Sequence, residues 1–186
     1  MTSAALEFDA ISVSFPARER SGASSYCAVD RATLGVGAGE FVSVVGPTGC
    51  GKSTLLNVAA GLLAPSAGTL RVFGQPLVGL NRQAGYMFQT DALLPWNNTI
   101  DNITLGLKFR GMPEAEAAEL GRYWLNKVGL THAADRYPHQ LSGGMKKRVA
   151  LAQTLIVDPK IVLMDEPFSG VDVAARRGCL AEQERR

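Results

Sequence analysis

The sequence predicts an α/β fold with a mostly parallel sheet at its core, and three observations lead to that prediction. A glycine-rich loop of the phosphate-binding type lies between a short apolar run and a helix-like run. A second apolar run, residues 161–165, ends in the carboxylate of Asp165. Strand-like and helix-like segments alternate along most of the chain, which is typical of parallel sheets with helical connections.

The glycine-rich loop fits the pattern G-x-x-x-x-G-K-[ST]. Its residues are Gly46, Pro47, Thr48, Gly49, Cys50, Gly51, Lys52, Ser53 and Thr54. The glycines let the backbone turn tightly, so that loop N–H groups and a helix N-terminus face an anion. Lys52 can then reach the β- and γ-phosphates of a nucleotide, and the Ser53 hydroxyl can bind Mg²⁺. The alternative is an incidental glycine-rich turn. The apolar run 41–45, predicted to be a buried parallel strand, and the helix predicted from Leu55 argue against that alternative.

Composition narrows the class of protein. The 186 residues are enough for one domain, and a hydrophobic content of 46% permits a sizeable core. A net charge of +2 gives no indication of a nucleic-acid partner. The three cysteines form no C-x-x-C pair, which favours a reduced, cytosolic setting. We find no apolar run of the ~18 residues that a membrane helix needs and no signal-peptide pattern. We therefore expect a protein that is soluble when isolated and reaches a membrane only through a partner.

The N-terminal part of the chain predicts an antiparallel β subdomain. Residues 6–15 alternate apolar and polar side chains for much of their length, as a half-buried strand does. A surface loop is predicted at 16–25 and a second strand within 26–40. Residues 69–74 predict a further strand and turn, and residues 84–89 predict a strand that ends at Gln89.

Residues from about 91 to 150 predict a helical subdomain within the single domain 1–186. One helix is predicted from Pro113 to about Val128, with acidic residues in its first turn. Its predicted apolar face consists of Leu120, Trp124 and Val128. Another helix, of about 12 residues, is predicted from Lys146.

Two further motifs accompany the phosphate-binding loop. An apolar strand that ends in Asp165 suggests a Mg²⁺ carboxylate, and the next residue, Glu166, is a candidate base for the attacking water. Residues 142–144 are Ser-Gly-Gly at the head of a helix, which predicts either an anion site or a simple helix cap. The basic residues 146–148 predict a solvated helix face.

The order of these motifs resembles the ATP-binding subunit of ABC transporters over residues 6–173. The resemblance implies a P-loop NTPase fold. It also implies that Gln89 contacts Mg²⁺ and the attacking water, so that Ser53, Gln89 and Asp165 form the metal site. Phe15 matches the aromatic position that stacks on adenine, with Tyr26 as a less favoured substitute. The signature residues of the family match Ser142, Gly143 and Gly144, which implies that they contact the γ-phosphate held by an opposite subunit.

Two segments narrow the resemblance to one branch of the family, the importers of nitrate, aliphatic sulfonates and taurine. Residues 86–96 are similar to that branch, and so are residues 137–140. The motif at 169–172 resembles the loop that joins the two sites of a dimer. Met145 departs from the glutamine that usually follows the signature, and we expect a mild effect because the serine and glycines remain.

A larger departure concerns the end of the chain. Members of the family continue to a further core strand and a switch histidine, whereas His132 and His139 both precede the signature. The sequence therefore predicts that the C-terminal part of the core is missing, as in a truncated or frameshifted product. We expect nucleotide binding to survive and hydrolysis to be weak.

The resemblance implies an ATP-binding and ATP-hydrolysing subunit that supplies energy to an importer, with ATP and Mg²⁺ as cofactors and Lys52, Gln89 and Glu166 as catalytic residues. The expected partners are a second ATP-binding subunit, a membrane permease and, indirectly, a periplasmic or extracellular solute-binding protein. The expected location is the cytoplasmic face of the cell membrane. Two alternatives stay open: a remnant that binds ATP without significant hydrolysis, and a soluble ABC ATPase that acts outside transport.

Overall fold

The computed structural model describes residues 4–16, 25–90 and 92–167. The chain divides into two compact units, Met1–Ala84 and Gly85–Arg186. The predicted loop 16–25 and the motif at 169–172 lie wholly or mostly outside the described residues.

The first unit contains a four-stranded sheet in the order β2-β1-β3-β4. Its strands are β1 (Ala4–Pro16), β2 (Ser25–Gly37), β3 (Ala67–Val72) and β4 (Gln75–Pro76). All three pairings are antiparallel, as predicted for the N-terminal part of the chain. Leu6, Phe8, Ile11 and Val13 of β1 are buried, so the alternation seen in the sequence corresponds to the core face of the strand.

Helix α1 (Lys52–Ala59) directly follows the glycine-rich loop. Soon after its end, Gly61 has a φ of 70°, a left-handed conformation that glycine adopts without strain and that stops the helix. Asn81 also holds this end of the helix. Its Nδ2 donates a hydrogen bond to the Ala59 carbonyl at 3.0 Å, and its backbone N–H donates to the Ala60 carbonyl at 2.9 Å. Carbonyls that the last helical turn leaves unpaired are thereby satisfied.

The buried strand predicted at 41–45 is not formed, and that prediction is wrong for this structure. The segment has no regular secondary structure, and Phe41 and Val45 are 69% and 88% exposed. A buried parallel strand needs neighbouring strands and covering helices. The described strands of the first unit pair only with one another, and none of them pairs with 41–45. The apolar run identified residues suited to a strand but not the partners that a strand requires.

The second unit combines a small sheet with a helical cluster. Strands β5 (Ala84–Met87) and β6 (Ile161–Met164) form the sheet, close to the predicted positions. The helices are α2 (Thr99–Phe109), α3 (Glu114–Lys127) and α4 (Gly143–Leu155), with short 3-10 turns at Thr131–Ala133 and Pro138–Gln140. Helix α2 was not predicted individually. In the part of the chain that the structure describes, none of the helices has the length and apolar character needed to cross a bilayer.

The buried face of α3 differs from the predicted one. Ala117, Gly121 and Leu125 are the buried residues of this helix. The residues predicted to form the apolar face are only partly buried beside the core: Leu120, Trp124 and Val128. The small residues let α3 approach α2 closely, since a Cβ added at Gly121 would lie 2.6 Å from Thr104 Cγ2. The face of α3 that packs against α2 is therefore the one with small residues, because only they fit between closely packed helices.

Gly121→Val is expected to lower the free energy of unfolding by about 2 kcal/mol, because the added side chain would overpack the α2–α3 contact. Urea unfolding followed by fluorescence measures this change. Glu119→Val is the matched control, since it places the same β-branched residue at an exposed position of α3. Equal destabilisation by the two variants would contradict the close-packing explanation.

Candidate functional site

The glycine-rich loop is folded around its own lysine. Lys52 Nζ donates hydrogen bonds to the carbonyl oxygens of Gly46 at 2.9 Å and Pro47 at 2.8 Å. Cys50 Sγ lies 3.7 Å from the same ammonium group. The Lys52 side chain therefore folds back across the loop and contacts its first two residues. A bound anion could replace these carbonyls as the partner of the ammonium, because charge-assisted hydrogen bonds are the stronger ones.

The start of α1 has the properties of an anion site. Its N-cap residue, Gly51, offers no side-chain cap, and the first helical turn contains no acidic residue. The partial positive charge of the helix N-terminus is therefore not offset by a local carboxylate. Gly51 also has a φ of 93°, and an added Cβ there would lie 2.4 Å from the Ala28 carbonyl oxygen. Only glycine allows the loop to pass so close to β2. These features fit the phosphates of a nucleotide.

Two aromatic residues pair across strands of the same unit, and one of them contacts the loop. Phe15 and Tyr26 are direct partners in the β1–β2 register. Both rings are accessible, with exposures of 38% and 56%, and Tyr26 Oη lies 3.5 Å from the Gly49 carbonyl oxygen. Strand pairing thus brings Tyr26 next to Phe15 whatever the length of the loop between them. Tyr26, the less favoured residue in the sequence analysis, is the one with a contact to the glycine-rich loop.

In the second unit, the predicted glutamine and glutamate are in contact. The Asp165 N–H donates to the Met87 carbonyl at 2.9 Å, so that the ends of β5 and β6 lie side by side. Beyond these ends, Gln89 Nε2 donates a hydrogen bond to Glu166 Oε2 at 2.9 Å. Because Nε2 is the donor in this bond, the side-chain amide oxygen of Gln89, Oε1, is the atom suited to a metal ion. Glu166 has a φ of 48°, an uncommon conformation for a residue other than glycine, and such strain is often retained at functional sites.

Asp165 is a buried carboxylate. It is 7% exposed, and within the described residues no lysine or arginine forms an ion pair with it. Burial, together with the charge of Asp165, raises the pKa of Tyr86 to about 12. A buried acidic group of this kind is suited to a divalent cation. No group of three or more His, Cys, Asp or Glu side chains in the described ranges could hold a metal. Any Mg²⁺ would therefore depend on hydroxyl, amide and phosphate oxygens in addition to Asp165.

The Ser-Gly-Gly segment caps α4. Ser142 Oγ accepts a hydrogen bond from the Met145 N–H at 3.3 Å, so the helix begins at Gly143, three residues earlier than predicted. A Cβ added at Gly143 or Gly144 would meet no atom within 4 Å. Space for a ligand therefore exists over the two glycines.

The basic residues after the cap are not simply solvated, which corrects the prediction for two of them. Lys147 Nζ donates to the Gln89 carbonyl at 2.5 Å. Arg148 Nη1 donates to the carbonyl of Val128 at 3.0 Å, just beyond the end of α3. The two side chains tie α4 to neighbouring elements, because each reaches a carbonyl oxygen that faces this helix.

Asn102 organises the segment that follows Gln89, and sequence analysis missed it. Its side chain is fully buried, and Leu94 N–H donates to its Oδ1 at 2.7 Å. Its Nδ2 donates to the carbonyls of Leu94, Asn97 and Asn98 at 3.0–3.1 Å. This network fixes a loop that presents Trp96, which is 71% exposed. The available sequence signal was an asparagine directly before Ile103 and two residues after Ile100.

The predicted site residues therefore fall into two groups. Those of the first unit are Phe15 and the loop residues Gly46, Pro47, Thr48, Gly49, Cys50, Gly51, Lys52, Ser53 and Thr54. Those of the second unit are Gln89, Ser142, Gly143, Gly144, Asp165 and Glu166. The roles assigned to these residues stay predictions.

A glycine-rich loop before a helix, an acidic strand end and a serine–glycine helix cap define a nucleotide-binding ATPase domain of the P-loop class. The family model described as ABC transporter matches residues 29–169. The chain belongs to that family, as an ATP-binding domain, and the fold class and family resemblance predicted from the sequence are confirmed.

Curated relatives agree with this assignment. The chain is 46% identical over 151 residues to a putative ATP-binding protein, BruAb2_1123, of Brucella abortus, covering 81% of this chain and 58% of the relative. It is 43% identical to the taurine import ATP-binding protein TauB of Chromobacterium violaceum, and the match covers 93% of this chain and 64% of the relative. It is 42% identical to the nitrate import ATP-binding protein NrtD of a Synechocystis species, and the match covers 82% of this chain and 57% of the relative. The matched part of the chain thus corresponds to 57–64% of the length of these three relatives.

A solved structure gives the same fold. The ATP-binding cassette MJ0796, in a dimeric post-hydrolysis state bound to ADP and Pi, is similar with a TM-score of 0.85 and 28% identity. The similarity covers 95% of this chain and 80% of that one.

Proposed function

We propose that the chain is the ATP-binding and ATP-hydrolysing subunit that drives an importer of nitrate, a sulfonate, taurine or a similar small solute. The geometry of the glycine-rich loop is the observation that carries the nucleotide part of this proposal. The Lys52 ammonium lies against the loop carbonyls of Gly46 and Pro47, and α1 starts without a side-chain cap or an acidic residue in its first turn. The solute class rests on the relatives named for taurine and nitrate import.

In this proposal, the first unit binds the nucleotide. Phe15 stacks on the adenine, and residues 46–54 surround the phosphates with backbone N–H groups. Lys52 exchanges the Gly46 and Pro47 carbonyls for β- and γ-phosphate oxygens. Ser53, Gln89 and Asp165 would hold Mg²⁺ through oxygen atoms, which is the ligand type that this cation prefers. When bound, Mg²⁺ neutralises charge on the phosphates.

Glu166 is the proposed base. Its carboxylate polarises the water that attacks the γ-phosphorus in line with the leaving oxygen of ADP. The products are ADP and inorganic phosphate. The hydrogen bond that Gln89 Nε2 donates to Glu166 Oε2 helps to hold this carboxylate in place.

The remaining assignments follow from the same proposal. Residues 1–186 belong to one ATP-binding domain, with a helical subdomain at about 91–150. Ser142, Gly143 and Gly144 contact the γ-phosphate bound by a second ATP-binding subunit, whose pairing is supported by the dimeric state of MJ0796. The pair acts on a membrane permease from the cytoplasmic face, and a solute-binding protein delivers the solute to that permease.

Lys52→Ala tests the proposed function. The variant is expected to bind Mg-ATP on the order of 30-fold more weakly, or about 2 kcal/mol, because it loses charge-assisted hydrogen bonds to phosphate. Nucleotide binding and phosphate release are measured together on the purified full chain. Lys160→Ala is the control, since Lys160 is an exposed lysine outside the proposed site. Equal ATP binding by wild-type chain and Lys52→Ala would contradict the proposal.

A further inference from the structure

Lys147 has an unusual partner for a basic residue of a helix surface. It lies on α4, one turn after the Ser-Gly-Gly cap, and is half-buried. Its ammonium donates to the carbonyl oxygen of Gln89, which is 58 residues earlier in the chain, with an Nζ–O distance of 2.5 Å. A short hydrogen bond from a charged donor is among the stronger single contacts available to a protein.

The Gln89 carbonyl belongs to the peptide that joins Gln89 to Thr90. This peptide follows the end of β5 and lies outside the ladder that β5 forms with β6. Strand pairing therefore does not fix it. Lys147 holds the peptide from one side, and the Gln89 carboxamide bonds to Glu166 on the other. The three residues form a chain of contacts from α4 to the carboxylate.

We propose that Lys147 is a positioning residue that fixes the Gln89 peptide to α4 and thereby keeps the Gln89 carboxamide aligned with the Glu166 carboxylate. Its consequence for catalysis rests on the proposed function, whereas its effect on the Gln89 peptide does not. The geometry also links the start of α4, where the Ser-Gly-Gly cap lies, to Gln89. Because this hydrogen bond is short, a displacement of α4 would either break it or move the Gln89 peptide with the helix.

The neighbouring residue Lys146 provides a matched control. It is also half-buried on α4, and among the described residues its side chain makes no hydrogen bond or ion pair. Its methionine variant removes the same charge and keeps a similar length. Lys147→Met removes the donor, and Lys147→Arg restores a charged donor of similar reach.

The test compares wild-type full chain with these three variants by hydrogen–deuterium exchange without nucleotide, followed by ATP binding and phosphate release. Lys147→Met is expected to speed exchange of the peptide spanning 84–97 about fivefold or more, while peptides from 143–155 stay unchanged. It should lower kcat about tenfold and leave the Kd for ATP within about twofold. Lys147→Arg should restore most of the slow exchange at 84–97 and most of the kcat. Lys146→Met should match wild type in both measurements.

Three results would overturn the inference. One is unchanged exchange at 84–97 in Lys147→Met. Another is faster exchange throughout α4, or loss of the folded state, which indicates a general structural role. The third is the same change in Lys146→Met. If the wild-type chain neither binds nor hydrolyses ATP, the proposed function fails, but the exchange result still decides whether Lys147 positions Gln89.

Discussion

Asn102→Leu is expected to destabilise the second unit by about 3 kcal/mol, although leucine keeps the branch at Cγ that asparagine has. Asn102 is 0% exposed and satisfies four backbone groups of the loop between Leu94 and Asn98. Leucine would leave the Leu94 N–H and the Asn97 carbonyl without the partners that the structure gives them. Each unsatisfied buried group costs roughly 1–3 kcal/mol, which is about 2–6 kcal/mol for the two. Because these groups are only partly buried, a total in the lower half of that range is expected.

Urea unfolding measured by tryptophan fluorescence suits this prediction, because both tryptophans, Trp96 and Trp124, lie in the second unit. Asn126→Leu is the matched control. Asn126 is exposed on α3, and a surface substitution of this kind changes stability by about 0.5 kcal/mol or less. If Asn102→Leu unfolded at the same urea concentration as Asn126→Leu, the hydrogen-bond network would not be a source of stability.

The helix that contains Asn102 illustrates what the sequence does not reveal. Helix α2 contains Thr99, Ile100, Ile103 and Thr104, whose β-branched side chains lower helix propensity. Its formation depends on an Asn98 cap, whose side chain accepts from the Asp101 N–H at 2.9 Å, and on packing against α3. Tertiary contacts thus override local preference, and those contacts cannot be inferred from one short segment.

Patterns that depend on local chemistry were predictable. The alternation in residues 6–15 identified β1. The glycine-rich loop, Asp165 and Ser142 were found because their chemistry requires particular residue types at fixed spacing. The positions of β5 and β6 were also predicted closely, since each is a short apolar run with a polar residue after it.

Properties that depend on distant parts of the chain were not predictable. The run 41–45 has the composition of a strand but no strand partner among the described residues of its unit. Lys147 resembles any exposed lysine until α4 is placed beside Gln89. The buried face of α3 was assigned to large residues, whereas the close approach of α2 favoured Ala117 and Gly121. In each case the missing information is the identity of the neighbour.

Glu166→Gln is expected to lower ATP turnover at least 100-fold while the Kd for ATP stays within about twofold. Glutamine has nearly the same shape, and its amide oxygen can still accept the hydrogen bond that Gln89 Nε2 now donates at 2.9 Å. The backbone at φ 48° is equally accessible to glutamine and glutamate, so the strand end is not expected to move. The variant therefore removes the basic oxygen and little else. General bases contribute roughly 10²–10⁴-fold to rates.

Phosphate release at saturating Mg-ATP, with ATP binding measured on the same sample, separates the two effects. Glu116→Gln is the control, because Glu116 is an exposed carboxylate in the first turn of α3. Turnover within about threefold of wild type would exclude Glu166 as the base. Wild-type release no higher than that of Lys52→Ala would instead contradict hydrolysis by this chain. Binding without release would then mean that the nucleotide loop functions while the chemistry at Glu166 requires groups that this chain does not supply.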